Sequence, residues 1–214
     1  MNATKKIIGV FFGSRSPEHD ISIITASRAM AGLRVLAKYR IVPVYIGKAG
    51  DWFSSEALGD IAFFREPRFE ESLKPHKVAS WSFADGNLFL HQPHLWFKSS
   101  EPIRIDLAFP CFHGSFGEDG TIQGLFETAG VPYVGCGVLA SSLTMSKTHT
   151  RRILRDAGIR TVPTMEISRE LFSSSPNQAK NSAAARFSFP MFVKPNALGS
   201  SIAVNRTPSD QASR

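Results

Sequence analysis

The first 46 residues constrain the fold most. Ile7-Ile8-Gly9-Val10-Phe11-Phe12 is an apolar run that stops at Gly13, the pattern of a strand buried on both faces. Ser16-Pro17-Glu18 reads as a helix start. Ser16 can cap, Pro17 fits the first helical position, and Glu18 and Asp20 suit the positive end of the helix dipole. Ile23, Ala26, Met30 and Leu33 then recur at helical spacing, and Arg40 to Ile46 supplies a second strand. Strand, helix and strand in that order predict an α/β chain with a parallel sheet and helices packed on it.

The stretch from Gly47 to Arg104 is less regular. Gly50-Asp51 predicts a turn, and Asp85-Gly86-Asn87 a hairpin tip flanked by Phe83 and Leu88 to Leu90. Its aromatics, Trp52, Phe63, Phe64, Trp81, Phe89 and Trp96, suit the cover of a sheet edge better than a ligand box. Ile105 to Pro110 predicts one strand, Thr121 to Thr128 a helix closed by Gly130, and Val131 to Val134 a further strand. Beyond Gly135-Cys136-Gly137, Ser146 to Ala157 predicts a helix ending at Gly158, and Val162 to Ile167 a strand. Ser173 to Ser188 reads as a loose helix or loop, and Thr207-Pro208-Ser209-Asp210 as a helix start.

At 214 residues with 43% hydrophobic side chains the chain is long enough for one or two cored domains. No apolar run approaches the ~20 residues of a membrane span, and the amino terminus lacks the apolar core and cleavage site of a signal peptide. Two cysteines, Cys111 and Cys136, make no disulfide framework at this size, which predicts a reducing cytoplasm. Residues 1–145 hold 14 Lys and Arg against 14 Asp and Glu, whereas residues 146–214 hold 11 against 4, the whole net charge of +7. Such a segment suits a nucleotide polyphosphate, or is a solvated basic face. It has no Trp or Tyr among its basic residues, which disfavours nucleic acid.

Three clusters carry candidate chemistry. Gly13 to Asp20 is a strand-to-helix turn that presents backbone N–H groups to an anion or the Glu18 carboxylate to an ammonium; its plain alternative is a well-capped helix with an acidic first turn. His113-Gly114-Ser115-Phe116-Gly117-Glu118-Asp119-Gly120 follows a strand end, where open α/β sheets place ligands. His113 can donate to an oxyanion, and Glu118 and Asp119 can instead cap the next helix. The third cluster is a lysine pair. Lys194 ends the apolar run Phe189 to Val193 before Pro195 and the loop Asn196-Ala197-Leu198-Gly199-Ser200-Ser201, which can wrap a phosphate in N–H groups. Lys147 opens a helix in the same basic segment, so two ammonium groups could neutralise one polyphosphate; solvated surface lysines are the alternative.

In this order and spacing the clusters resemble the D-alanine–D-alanine ligase family of the ATP-grasp superfamily. The matching pieces are Phe12 to Ser22, His113 to Gly124, Val131-Pro132-Tyr133-Val134-Gly135, Met145-Ser146-Lys147, and Val193-Lys194-Pro195 through Ser201. The resemblance covers about the first two-thirds of a typical member. It implies an N-terminal parallel-sheet substrate domain (pre-ATP-grasp) over residues 1–136, then an incomplete ATP-grasp subdomain over 137–214. It also implies a cytoplasmic, ATP-dependent carbon–nitrogen ligase that joins two D-alanines through an acyl phosphate for peptidoglycan precursors, as a homodimer when whole, with neither nucleic acid nor membrane as partner.

By the same resemblance Glu18 holds the ammonium of the first D-alanine and His113 lies beside its carboxylate. Lys147 and Lys194 bind ATP phosphates. Ser200 and Ser201 cover the γ-phosphate, with Ser200 also bonding toward Glu18. The family's Mg²⁺ (or Mn²⁺) ligands have no counterpart here, so an inactive fragment or truncation is expected. Ala203 stands where the family often has Gly. The Glu18-His19-Asp20 version and the long insertion look most like the longer members, including those that make D-alanyl-D-lactate. A D-alanine–D-lactate or D-alanine–D-serine ligase and a non-catalytic, ligand-binding truncated product are therefore the rival readings.

Overall fold

The computed structural model describes residues 5–93 and 101–207. The chain divides into two compact units, Met1–Ser142 and Leu143–Arg214.

The first unit is built on β1 (Ile7–Gly13), which is buried along nearly its whole length. It pairs in parallel with β2 (Arg40–Ile46) on one side and β7 (Leu107–Pro110) on the other. The short β3 (Trp52–Phe53) adds an antiparallel edge, giving the order β3-β2-β1-β7. Because side chains alternate along a strand, β1 feeds two cores. Ile8, Val10 and Phe12 point to one face, where α1 (His19–Val35) packs Ile23, Ala26 and Met30. Leu58 and Leu73, together with α2 (Ile61–Arg65) and α3 (Phe69–Ser72), cover the rest of that face. Phe11 points to the other face, which is covered by a second, antiparallel sheet.

That second sheet is β4 (Ser80–Ala84), β5 (Asn87–His91) and β6 (Ile103–Ile105), joined there by α4 (Thr121–Thr128). Asp85 and Gly86 both take positive φ, 49° and 73°, the geometry of a two-residue hairpin turn, as expected. The expected single strand from Ile105 to Pro110 is two strands in different sheets. Asp106 divides them, and its carboxylate accepts the Ile7 N–H at 2.7 Å and so fastens the start of β1. Val131 to Val134 forms only one bridge, Ala108 to Tyr133, instead of a strand. Of the aromatics, Trp52 stacks on Trp81 with ring centroids 5.6 Å apart, while Phe63 and Phe64 pack into the α1 core; Trp96 lies outside the described residues.

The helix α5 (Val138–Met145), which no sequence signal announced, runs across the division between the units. The second unit then holds α6 (Lys147–Asp156), α7 (Arg169–Ser174), α8 (Pro176–Arg186) and the antiparallel pair β8 (Met191–Val193) and β9 (Asn205–Thr207). The α6 helix starts and stops as its Ser146 and Gly158 predict. The loose segment is two helices. Val162 to Ile167 is not a strand, because no described segment pairs with it. The expected helix start at Thr207-Pro208 falls mostly outside the described residues. Ala179 is the one buried apolar residue of this unit among those described.

Candidate functional site

In the first unit, two loops from the carboxyl ends of neighbouring parallel strands meet. The β1–α1 loop begins with Ser14 in left-handed backbone (φ 80°), anchored by its N–H to the Ile46 carbonyl at 2.7 Å. Ser16 does not cap the helix as expected. Its Oγ accepts the Glu18 N–H at 3.1 Å, and its carbonyl accepts the His19 N–H, which closes a separate turn. The helix therefore starts at His19, two residues later than Pro17 predicts, with Glu18 at its cap position. The Glu18 side chain makes no capping hydrogen bond and is only 5% exposed.

The β7–α4 loop lies directly against this turn. A methyl group on Gly114 would lie 2.5 Å from Glu18 Oε2 and 2.7 Å from Ser16 Oγ, and Gly114 has a φ of 73°. Only glycine permits both that approach and that backbone. One residue earlier, His113 Nε2 lies 2.8 Å from Thr25 Oγ1, two turns along α1. Arg15 sits over the Phe116 ring at 5.5 Å. The structure thus brings together the two loops that carry Glu18 and His113. Of their neighbours, Asp119 reaches the next helix, accepting the Thr121 N–H at 3.0 Å as well as the Phe116 N–H at 2.8 Å, whereas Glu118 does not cap it: its Oε2 accepts the Gly114 N–H at 2.6 Å within the loop. Burial would raise the Asp119 carboxyl, but these N–H donors win and hold it below the usual carboxylate value.

Next in the chain to Glu18, the His19 residue is 2% exposed. Its Nδ1 is 2.6 Å from the Ser14 carbonyl and its Nε2 is 3.0 Å from the Tyr45 hydroxyl. A carbonyl only accepts, so Nδ1 carries the proton, and burial, the largest influence, holds the ring below its ordinary pKa. With Nε2 unprotonated, the Tyr45 hydroxyl donates to it.

The second unit gathers the phosphate-type residues. Asn196 Oδ1 accepts the Thr148 N–H at 2.9 Å, and its carbonyl accepts the Lys147 N–H at 3.1 Å. Lys147 Nζ reaches along the loop to the Leu198 carbonyl at 2.5 Å. Ser200 and Ser201 both have left-handed backbone, φ 45° and 58°, and are exposed. Lys194 is exposed, with its ammonium 5.9 Å from the Phe192 ring centroid. Lys147 therefore joins the Ser200–Ser201 loop while Lys194 stands at the strand end. Sequence reasoning gave no role to Asn196 or Thr25. Each acts on a residue at least 48 positions away, so no local pattern could have revealed it.

Among the described residues no three His, Cys, Asp or Glu side chains gather in a way that could hold a metal ion, and no helix is long and apolar enough to cross a membrane.

Comparison with known proteins agrees on one family. Residues 7–136 match the model described as D-ala D-ala ligase N-terminus, and residues 153–213 match D-ala D-ala ligase C-terminus. A D-alanine--D-alanine ligase of Chlorobium limicola is 35% identical over 210 residues, spanning 95% of this chain and 55% of that relative. The one from Thermosipho melanesiensis is 39% identical over 203 residues, 93% of this chain and 52% of the relative. The solved D-alanine-D-alanine ligase of Coxiella burnetii superimposes with a TM-score of 0.76 at 29% identity, covering 96% of this chain and 57% of that one. The chain spans about half the length of the curated relatives it matches. With most of its length matched by the family's amino-terminal model, and the same α/β layers in the solved relative, the chain belongs to the D-alanine–D-alanine ligase family.

Proposed function

We propose that this chain carries the first-substrate and phosphate-facing parts of an ATP-dependent D-alanine–D-alanine ligase. In that reaction the γ-phosphate of ATP passes to the carboxylate of the first D-alanine, and ADP leaves. The amine of the second D-alanine then attacks the acyl phosphate, a C–N bond forms and phosphate departs. Glu18 pairs with the ammonium of the first D-alanine, and His113 donates toward its carboxylate. Lys147 and Lys194 take ATP phosphates, and Ser200 and Ser201 close over the γ-phosphate. The whole protein acts in the cytoplasm as a homodimer, on residues 1–136 as substrate domain and 137–214 as part of the ATP-grasp domain.

The observation that best supports this reading is the attachment of Lys147 to the Asn196–Leu198 segment. It sets a fixed ammonium on the loop whose two serines turn in left-handed backbone, where N–H groups and positive charge can serve one polyphosphate. Magnesium, when bound, would supply charge neutralisation for the phosphates in such chemistry. The carboxylates of the described residues do not gather into a site for it.

Calorimetric titration of the chain with ATP tests the nucleotide half. Lys147→Met and Lys194→Ala should each remove a charge-assisted contact worth about 1.5–3 kcal/mol, roughly ten- to a hundredfold in Kd. ATP affinity unchanged in both variants would return the lysines to the solvated surface. D-Alanine-dependent phosphate release by the 214-residue chain alone is expected to be absent, since its relatives are about twice as long.

A further inference from the structure

A cavity of about 680 Å³ lies beside α1 on the face of the parallel sheet away from the second sheet, bounded by β2, β3, α2 and α3. Its size falls within the range of about 300–1,000 Å³ typical of small-molecule sites. The floor is aromatic: Tyr45, Phe53, Phe64 and Phe69, with Tyr45 and Phe64 ring centroids 5.0 Å apart. Its lining takes His19 and Asp20 from the start of α1 but includes neither Glu18, His113 nor any residue of the phosphate loop, so it holds none of the side chains to which the ligase reading gives a role.

The charges at its rim are unequally used. Lys48 pairs with Asp20 at 3.6 Å, and Asp51 pairs with Lys77 at 2.9 Å. Arg65, at the end of α2, and Glu70, in the first turn of α3, also line the cavity and are exposed, but neither has an ion-pair partner among the described residues. One cation and one anion are thus left over above an apolar floor. A ligand that is only an acid or only an amine would satisfy one and leave the other. A zwitterion with an apolar body satisfies both.

We infer that this cavity is a second amino-acid site, for a zwitterionic α-amino acid with an aromatic or branched apolar side chain, its carboxylate on Arg65 and its ammonium on Glu70. The wall of the site also has a route to the Glu18 turn. Tyr45 and His19 both line the cavity, and the hydroxyl-to-ring-to-carbonyl chain runs from Tyr45 through His19 to Ser14. A ligand packed on Tyr45 therefore bears on the left-handed residue that sets the course of the Ser14–Glu18 turn. Alanine, with a single methyl group, has too little apolar surface to use this floor.

Titration calorimetry of the 214-residue chain with L-phenylalanine tests the inference, with phenylacetate and phenethylamine as partial ligands and ¹⁵N spectra of the histidine rings as a local readout. L-Phenylalanine should bind with a Kd of about 0.1–1 mM. Both partial ligands should bind about fivefold or more weaker, as should L-phenylalanine to Arg65→Gln and to Glu70→Gln. These two side chains are exposed, so the variants should fold. Binding should shift the His19 ring nitrogens and should persist in 10 mM D-alanine. Absent binding, phenylacetate or phenethylamine binding as well as the amino acid, unchanged affinity in both variants, displacement by D-alanine, or unmoved His19 signals would each overturn it. Failure of the ligase reading would leave all five results as expected.

Discussion

Asn196 Oδ1 accepts the Thr148 N–H at 2.9 Å, so a residue of the β8–β9 connection caps the helix that Lys147 begins. Ser146 is the local cap of the same helix, and its hydroxyl also meets the Asn196 side chain. A helix start and a phosphate-type loop are therefore one hydrogen-bonded assembly, and the Lys147 ammonium donates to the backbone carbonyls of Asn196 and Leu198, 49 and 51 residues away.

Asn196→Ala should destabilise the second unit by about 1 kcal/mol, the usual cost of a lost cap. It should also weaken ATP binding although the charge on Lys147 is kept. Chemical denaturation and ATP titration of the same variant check this; a lower midpoint with unchanged ATP affinity would separate the cap from the site.

Glu18→Gln keeps the shape of the turn and removes its charge. Because the Glu18 side chain does not cap the helix, the helix start loses no cap, and the melting temperature should move less than D-alanine affinity. D-Alanine affinity should fall by the loss of a partly desolvated counter-ion, about 2–5 kcal/mol. A clear fall in melting temperature with D-alanine binding intact would make Glu18 a residue of the helix start only.

Stability should rise with pH near neutrality through His19. Burial, its largest influence, holds the folded ring below its ordinary value of 6.5, so between the two values the unfolded chain binds a proton that the folded chain refuses. The contribution is full above pH 6.5 and is lost as pH falls below it, by up to about 1.4 kcal/mol per pH unit, until the folded value is reached. Urea midpoints from pH 5 to 7.5 should show this slope, and His19→Gln should flatten it.

The second unit should self-associate. Ile153, Ile159, Val162, Phe172, Phe192 and Val193 are between 47% and 73% exposed, against a single buried apolar residue among those described. Monomers rarely tolerate so much uncovered apolar surface. Light scattering at rising concentration should report growing mass, and a steady monomer would refute the expectation.

The parallel sheet was legible because β1 and β2 are buried on both faces and so appear in the sequence as unbroken apolar runs. The Asp85-Gly86 hairpin was legible because its turn needs two positive φ values. Other features depend on partners that a local pattern does not contain. Ile105 to Pro110 looks continuous, yet the Asp106 carboxylate bonded to Ile7 parts it between two sheets. Val162 to Ile167 has strand composition but no described neighbour to pair with. At the site, motif spacing singled out Glu18 and His113, and the fold brings their loops together. The Tyr45–His19–Ser14 chain was not legible, since it joins a second strand to a turn 31 residues earlier.

The stack of Trp52 on Trp81 gives the first unit an optical signature. Trp52 sits on the edge of the parallel sheet and Trp81 on the first strand of the antiparallel one, with ring planes 29° apart. Two indoles held this close couple their electronic transitions, so near-ultraviolet circular dichroism should carry a signed pair of bands while the sheets are docked. Those bands should vanish if the sheets separate with their strands intact, and Trp81→Phe would remove them at little cost to the core. The chain thus holds its own spectroscopic ruler for the joint between its two sheets.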